Sequence, residues 1–171
     1  MRWLGAGLLI LGALLLQNTA FSLLLFLGVK PDLVLLAVVA WALARGAKEG
    51  ALLGGAAGLL LDLLRGHWVG LGAVTYLTTG YVVGLLEDRL FKENLLVPVV
   101  VSFFATFLDQ LLFLLLGNSF GLGYPLFFTL WRITFPSMLY NAALAPLVYR
   151  QVQRLEERIN QGVWEKGGSA L

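Results

Sequence analysis

The sequence predicts an all-α membrane protein with six transmembrane helices and both termini in the cytoplasm, and three observations predict it. First, 59% of the 171 residues are apolar and only 13% are charged; soluble domains carry about a quarter charged residues and roughly 45–50% apolar ones. Second, the apolar residues gather into six stretches closed by charges or turn residues, and a bilayer core takes about 20 helical residues per crossing. Third, the basic residues alternate between loops. Arg2, Arg45, Lys48, Arg89, Lys92, Arg150, Arg154, Arg158 and Lys166 fall on one side of a six-span chain, and Lys30, Arg65 and Arg132 on the other. Cytoplasmic loops collect Lys and Arg, so the first side is expected to be cytoplasmic.

The first span, residues 3–26, follows Arg2 and outruns the 7–15-residue apolar core of a signal peptide, with no small-x-small cleavage site before a soluble domain. It is expected to stay as an uncleaved helix, with Gln17, Asn18 and Thr19 bonding to neighbouring helices. The second and third spans, 31–44 and 49–64, are short and flank the tight link Arg45-Gly46-Ala47-Lys48, which suits a hairpin of two near-full spans. Pro31 starts the second span, where its missing N–H costs nothing, and Asp32 in the first turn complements the helix dipole.

In the third span Gly50, Gly54 and Gly58 recur every four residues, beside Ala47, Ala51 and Gly55. Ala73, Tyr76, Gly80 and Gly84 form a similar ridge in the fourth, 69–86. Membrane helices associate where small residues let backbones approach, so these ridges are expected to pack inside the bundle or to dock another membrane protein. The fifth span, 95–116, carries Pro98 in its first turn. Pro136 and Pro146 lie inside the sixth, 128–149, and should bend it. From Arg150 to Asn160 the residues Val152, Leu155 and Ile159 make a short amphipathic helix that Gly162 should end, with Gly167-Gly168-Ser169 reading as disorder. The chain therefore divides into a six-helix domain, 1–150, and a tail, 151–171, that contacts lipid headgroups or a partner.

Ionisable groups inside a span are costly and mark function by default. Asp62 lies about 21 Å across from the cytoplasmic side and Asp109 about 22 Å, at 1.5 Å per residue. Arg132 opens the sixth span, and with Asp32 and Arg65 these charges converge on the outer third. They are expected to tie helices together, Asp109 with Arg132 and Asp62 with Arg65 or a polar neighbour. Two other roles compete: a polar vestibule that receives a partner, and a substrate or ion pathway. A paired Asp109 would make its own neutralisation more costly than neutralising Asp109 and Arg132 together.

Few catalytic classes survive. The absence of cysteine excludes disulfides, thiolate zinc, iron–sulfur clusters and a cysteine nucleophile. A net charge of +2 gives no dense basic stripe for nucleic acid. Gly117-Asn118-Ser119-Phe120-Gly121 matches G-x-S-x-G, but that motif works at a strand-to-helix turn above an α/β sheet. His67 is the sole histidine, an interfacial loop residue beside Trp68, and no P-loop occurs. No cofactor and no metal site is expected.

Pro31-Asp32 opening a short span, Arg45-Gly46 before Glu49-Gly50, then Gly54-Gly55, Gly58, Asp62-Leu63, Gly70, Ala73, Tyr76, Gly80 and Tyr81 form an ordered combination. It resembles the rod shape-determining MreD family, most closely over residues 31–90. The resemblance implies a non-enzymatic component of the complex that elongates rod-shaped bacteria, in the cytoplasmic membrane. Its partners would be MreC and, through the complex, the actin-like MreB, the glycosyltransferase RodA and a class B penicillin-binding transpeptidase. It implies a six-helix fold like the substrate-binding subunits of energy-coupling-factor vitamin transporters. It supports Pro31, Asp32, Gly50, Gly58, Asp62 and Gly70 as structural or docking positions and assigns no catalytic residue. A scaffold is thus the leading expectation, and a small-molecule uptake subunit whose vestibule encloses a vitamin-like ligand is the rival.

Overall fold

The computed structural model describes residues 2–19, 29–66, 68–87 and 96–167, with side chains from 3 to 157. Residues 20–26 of the expected first span, His67, Arg89, Lys92 and Ser169 lie outside the described residues. What is described is helical, in six rods. These are α1 (Arg2–Thr19), α2 (Leu33–Arg45), α3 (Ala47–Arg65), α4 (Leu71–Gly84), α5 (Leu96–Ser119) and a sixth rod in three pieces. That rod begins as α6 (Leu126–Thr129), widens through a π-helical turn (Leu130–Thr134) and continues as α7 (Phe135–Gly167).

The shortest long element is the most central. In α2 every residue from Leu33 to Leu43 is buried, and Trp41, Val34, Val38 and Ala42 are fully so. A helix that is apolar all round belongs inside a bundle; here α1, α3, α4, α5 and α7 enclose it. The expected near-full span is 13 residues, about 20 Å long at 1.5 Å per residue. Sheathed by longer neighbours, it presents no outward face between Leu33 and Leu43. By contrast α5, with 24 residues and a mean hydropathy of 2.2, is long and apolar enough to cross a bilayer.

The link between α2 and α3 is tighter than the four-residue turn expected: Gly46 alone ends one helix and starts the next, at φ +85°. A left-handed backbone of this kind favours glycine, which has no Cβ to clash. The two helices turn back sharply enough that a Cβ on Gly50 would lie 2.5 Å from the Ala42 Cβ.

Helices α3 and α4 form an antiparallel pair with their backbones in near contact. A Cβ on Gly54 would lie 2.8 Å from the Tyr76 carbonyl carbon, one on Gly58 2.7 Å from that of Gly72, and one on Gly80 2.8 Å from that of Gly50. Gly84 meets the Gly46–Ala47 backbone in the same way. The small-residue ridges of the two helices are thus turned on one another. They are buried or half-buried inside the chain.

Pro136 sets the shape of the sixth rod. It cannot donate to the carbonyl four residues back, and its ring would collide with it. The turn before it widens, and the Phe135 amide bonds to Leu130 O, five residues earlier. Beyond Pro146 the helix runs on through Gly162 to Gly167. The expected stop at Gly162 is therefore absent: an interior glycine costs a helix only about 1 kcal/mol. The amphipathic tail and the sixth span are one continuous rod.

The bundle has two ends. At one, Arg45 pairs with Glu156 and lies over Trp41, its guanidinium 5.8 Å from the ring centre; Gly46 and Glu87 are there too. At the other stand Asp32, Asp62, Gly72 and Asp109. Outward faces between the ends are apolar, with Leu8, Leu15, Leu52, Phe104 and Leu147 exposed.

Candidate functional site

The polar residues at the second end form two linked constructions and a cavity. The first is a cap. Asp62, 3% exposed on α3, accepts from the amides of Gly70 at 2.9 Å and Ala73 at 3.2 Å through Oδ2. These are first-turn N–H groups of α4, which have no partner within their own helix. A carboxylate at a helix N-terminus also meets the positive end of the dipole. The chain gets there because Gly70 turns at φ +104°, which swings α4 back under the end of α3. Asp62 thus ties the hairpin through the backbone of α4.

The second construction joins four helices. Asp32 caps α2, its Oδ1 accepting from the Leu35 amide at 3.0 Å, and its Oδ2 accepts the Tyr76 hydroxyl of α4. The Asp32 amide donates to Asn141 Oδ1 of α7 at 2.9 Å. Asn141 Nδ2 in turn donates to Thr106 Oγ1 of α5 at 3.1 Å, and that hydroxyl donates to Ser102 O at 2.7 Å. Gln17 Oε1 of α1 accepts from the Val34 amide at 3.3 Å, so a fifth helix reaches the same N-terminus. Away from water an unmet donor or acceptor costs about 1–3 kcal/mol, and this chain of bonds meets most of them.

Beside the network lies a cavity of about 320 Å³. It is lined by Asp32, by Arg65 at the end of α3, by Gly72, Thr75 and Tyr76 of α4, and by Asp109, Gln110 and Phe113 of α5. Tyr124, Thr129 and Ile133 close it from the start of the sixth rod. Asp109 is 6% exposed, and its Oδ1 has no hydrogen-bond partner among the described residues.

The structure brings Asp32, Arg65 and Asp109 to one cavity, with Asp62 just behind it, and leaves Arg132 out. Arg132 is exposed on the π-helical turn, with its guanidinium 5.7 Å from the centre of the Phe128 ring. The expected Asp109–Arg132 pair is not formed. The widened turn ahead of Pro136 presents Thr134 to the interior, 1% exposed, and Arg132 to the outside. Pro31 is buried at the mouth of α2. Gly50, Gly54, Gly58, Gly80 and Gly84 belong to the helix contact described above, and Gly70 to the cap.

Sequence reasoning missed Asn141 and Thr106, 0% and 1% exposed, because beyond the first span, where Gln17 was singled out, it weighed only ionisable residues. A lone asparagine amid the apolar residues of the sixth span was the available signal, since in lipid such a group must find a partner across helices. Ser119, the candidate nucleophile, is the last residue of α5, and its hydroxyl donates to Leu115 O at 2.9 Å. The backbone there is a helix ending in a turn, and the strand of a nucleophile elbow is replaced by α5.

Among curated proteins and among solved structures, nothing matches the chain. A family model does, over residues 1–157, and it spans all the helices that build the cap, the four-helix network and the cavity. On that match the chain belongs to the family of the rod shape-determining protein MreD.

Proposed function

We propose that this protein is an integral-membrane scaffold of the machinery that elongates rod-shaped bacteria, crossing the cytoplasmic membrane six times and binding MreC. Through that complex it would stand beside RodA, a class B penicillin-binding transpeptidase and MreB, and so coordinate peptidoglycan synthesis. The family itself is one of rod shape determination, and that membership carries the reading. The internal chemistry supports a structural role. Asp32, Asp62, Asn141 and Thr106 are engaged in caps and cross-helix bonds, which hold helices in place and leave these groups occupied.

The apolar exterior supports embedding in lipid, since exposed apolar surface of this extent is rare on soluble monomers. An arrangement with both termini cytoplasmic is supported by two contacts: Gln17 near the end of α1 meets the start of α2, and Glu156 of α7 meets its finish. The start of α1 and the extension of α7 then share the end that carries Arg45 and Lys48, the end expected to face the cytoplasm.

Affinity purification from a rod-shaped host, with single cysteines introduced into the cysteine-free chain for crosslinking, tests the reading. MreC and the elongation synthases should co-purify and crosslink to outward positions of the bundle. A chain that purifies alone from such a host, without crosslinks to those proteins, would refute the scaffold. Labels placed before Trp3 and after Gly162 should be equally accessible from the cytoplasmic face; opposite accessibility would refute the six-span arrangement.

A further inference from the structure

We propose that the cavity among α2, α4, α5 and the start of the sixth rod is a binding site for a primary ammonium group, received by Asp109. That group would be carried by a small zwitterion or by an aminophospholipid headgroup. This inference is independent of the partner reading above, since the cavity can be occupied whether or not MreC is bound.

Three observations carry it. The space is large enough: about 320 Å³ corresponds to about ten water molecules at their share of liquid volume, and falls at the small end of ligand pockets. It holds an unmet acceptor, because Asp109 Oδ1 is buried and has no partner among the described residues. The lining also carries ionisable groups. Two carboxylates, Asp32 and Asp109, face the space with one guanidinium, Arg65.

The chemistry of the lining narrows the occupant. Both oxygens of Asp32 already accept, from the Leu35 amide and the Tyr76 hydroxyl, which leaves Asp109 Oδ1 as the carboxyl oxygen that calls for a donor. An apolar occupant would leave its Oδ1 bare at full desolvation cost. A divalent metal ion would want several free oxygen ligands, more than the engaged Asp32 leaves. An ammonium group supplies charge and N–H donors together, and charge-assisted bonds of this type are the strong ones. An anionic group beside the ammonium would lie in the cavity that Arg65 also lines.

The test uses the full chain in nanodiscs of phosphatidylcholine and phosphatidylglycerol. Soluble O-phosphoethanolamine is titrated in one arm, and phosphatidylethanolamine is incorporated in the other, with the thermal unfolding midpoint and native mass spectrometry as readouts. Phosphocholine serves as the paired probe, because its quaternary nitrogen has no N–H to donate. Binding of the ethanolamine compound with a raised midpoint, about tenfold tighter than its choline counterpart, supports the site. A response in the soluble arm alone identifies a free zwitterion, and one in the lipid arm alone identifies a headgroup. Asp109→Asn keeps the shape and removes the carboxyl group, and should lose about tenfold in affinity. Equal binding of ethanolamine and choline probes, binding in neither arm, or unchanged affinity in Asp109→Asn would each overturn the proposal. If that variant fails to fold, the comparison of probes on the unaltered protein decides alone.

Discussion

Replacing Gly54 by alanine adds one methyl group at the closest approach of two backbones. The new Cβ would lie 2.8 Å from the Tyr76 carbonyl carbon and 3.2 Å from the Leu77 nitrogen. Carbon contacts settle at about 3.5–4.0 Å, so α3 and α4 must separate by on the order of 1 Å. Neither partner atom belongs to a side chain that could rotate away. A gap of about 0.5–1 Å forfeits a quarter to a half of each dispersion contact along the seam, including those at Gly50–Gly80 and Gly58–Gly72. Overpacking of this type costs about 1–3 kcal/mol, and each kcal/mol lowers the midpoint of a domain of this size by roughly 2–4 °C. The assay is reversible unfolding in mild detergent with rising dodecyl sulfate, followed by tryptophan fluorescence. Gly12→Ala is the control, because a Cβ there meets nothing within 4 Å; it should stay within about 0.5 kcal/mol of the parent. The Gly54→Ala, Gly58→Ala double variant should cost less than the two singles summed, since one separation of the helices relieves both clashes. A Gly54→Ala protein as stable as the parent, or a Gly12→Ala protein equally damaged, would refute the close-packing argument.

Other consequences follow from the polar network. Asn141→Leu strands the Asp32 amide and takes from Thr106 Oγ1 the donor it accepts, while that hydroxyl keeps its bond to Ser102 O, and should destabilise by about 1–3 kcal/mol, whereas Tyr76→Phe removes one donor from Asp32 and should cost about 0.5–1.5 kcal/mol; the same unfolding assay ranks them. Asp62→Ala uncaps α4 at a cost of about 0.5–2 kcal/mol, and hydrogen exchange should rise first at the amides of Gly70 and Ala73. Asp109→Asn and Arg132→Gln should act additively within about 0.5 kcal/mol in a double-mutant cycle, because Arg132 lies over Phe128 and outside the cavity. A strong coupling energy would restore the pairing that the sequence suggested.

Some elements were legible in the chain before any coordinates. Uninterrupted apolar runs between charges marked the rods, because a helix in lipid closes its own hydrogen bonds and needs only an apolar surface. Gly50, Gly54 and Gly58 announced a close contact, since only small side chains at four-residue spacing let backbones meet. The partner ridge on α4 was visible for the same reason. Asp32 was readable as a carboxylate at the start of α2 that meets the helix dipole; that it caps the helix from outside, accepting from the Leu35 amide, came from the structure.

Other features were not. The full burial of α2 depends on which helices surround it, and a run of thirteen apolar residues looks the same beside lipid as beside protein. Arg132 and Asp109 lie at similar depth in a linear count, yet a widened turn ahead of Pro136 rotates Arg132 outward. Gly162 looked like a stop, but a glycine alone does not break a helix whose neighbours favour one.

By itself the sequence determined the number and apolar character of the rods, their small-residue seam and the scarcity of titratable chemistry, because these follow from local composition and periodicity. Only the tertiary structure decided which polar groups meet: Asp32 with Tyr76 and Asn141, Asp62 with the start of α4, and Asp109 with an open cavity. Those pairings join residues as far as 109 positions apart, and their geometry is set by how six helices rotate and cross, which no short window of residues encodes.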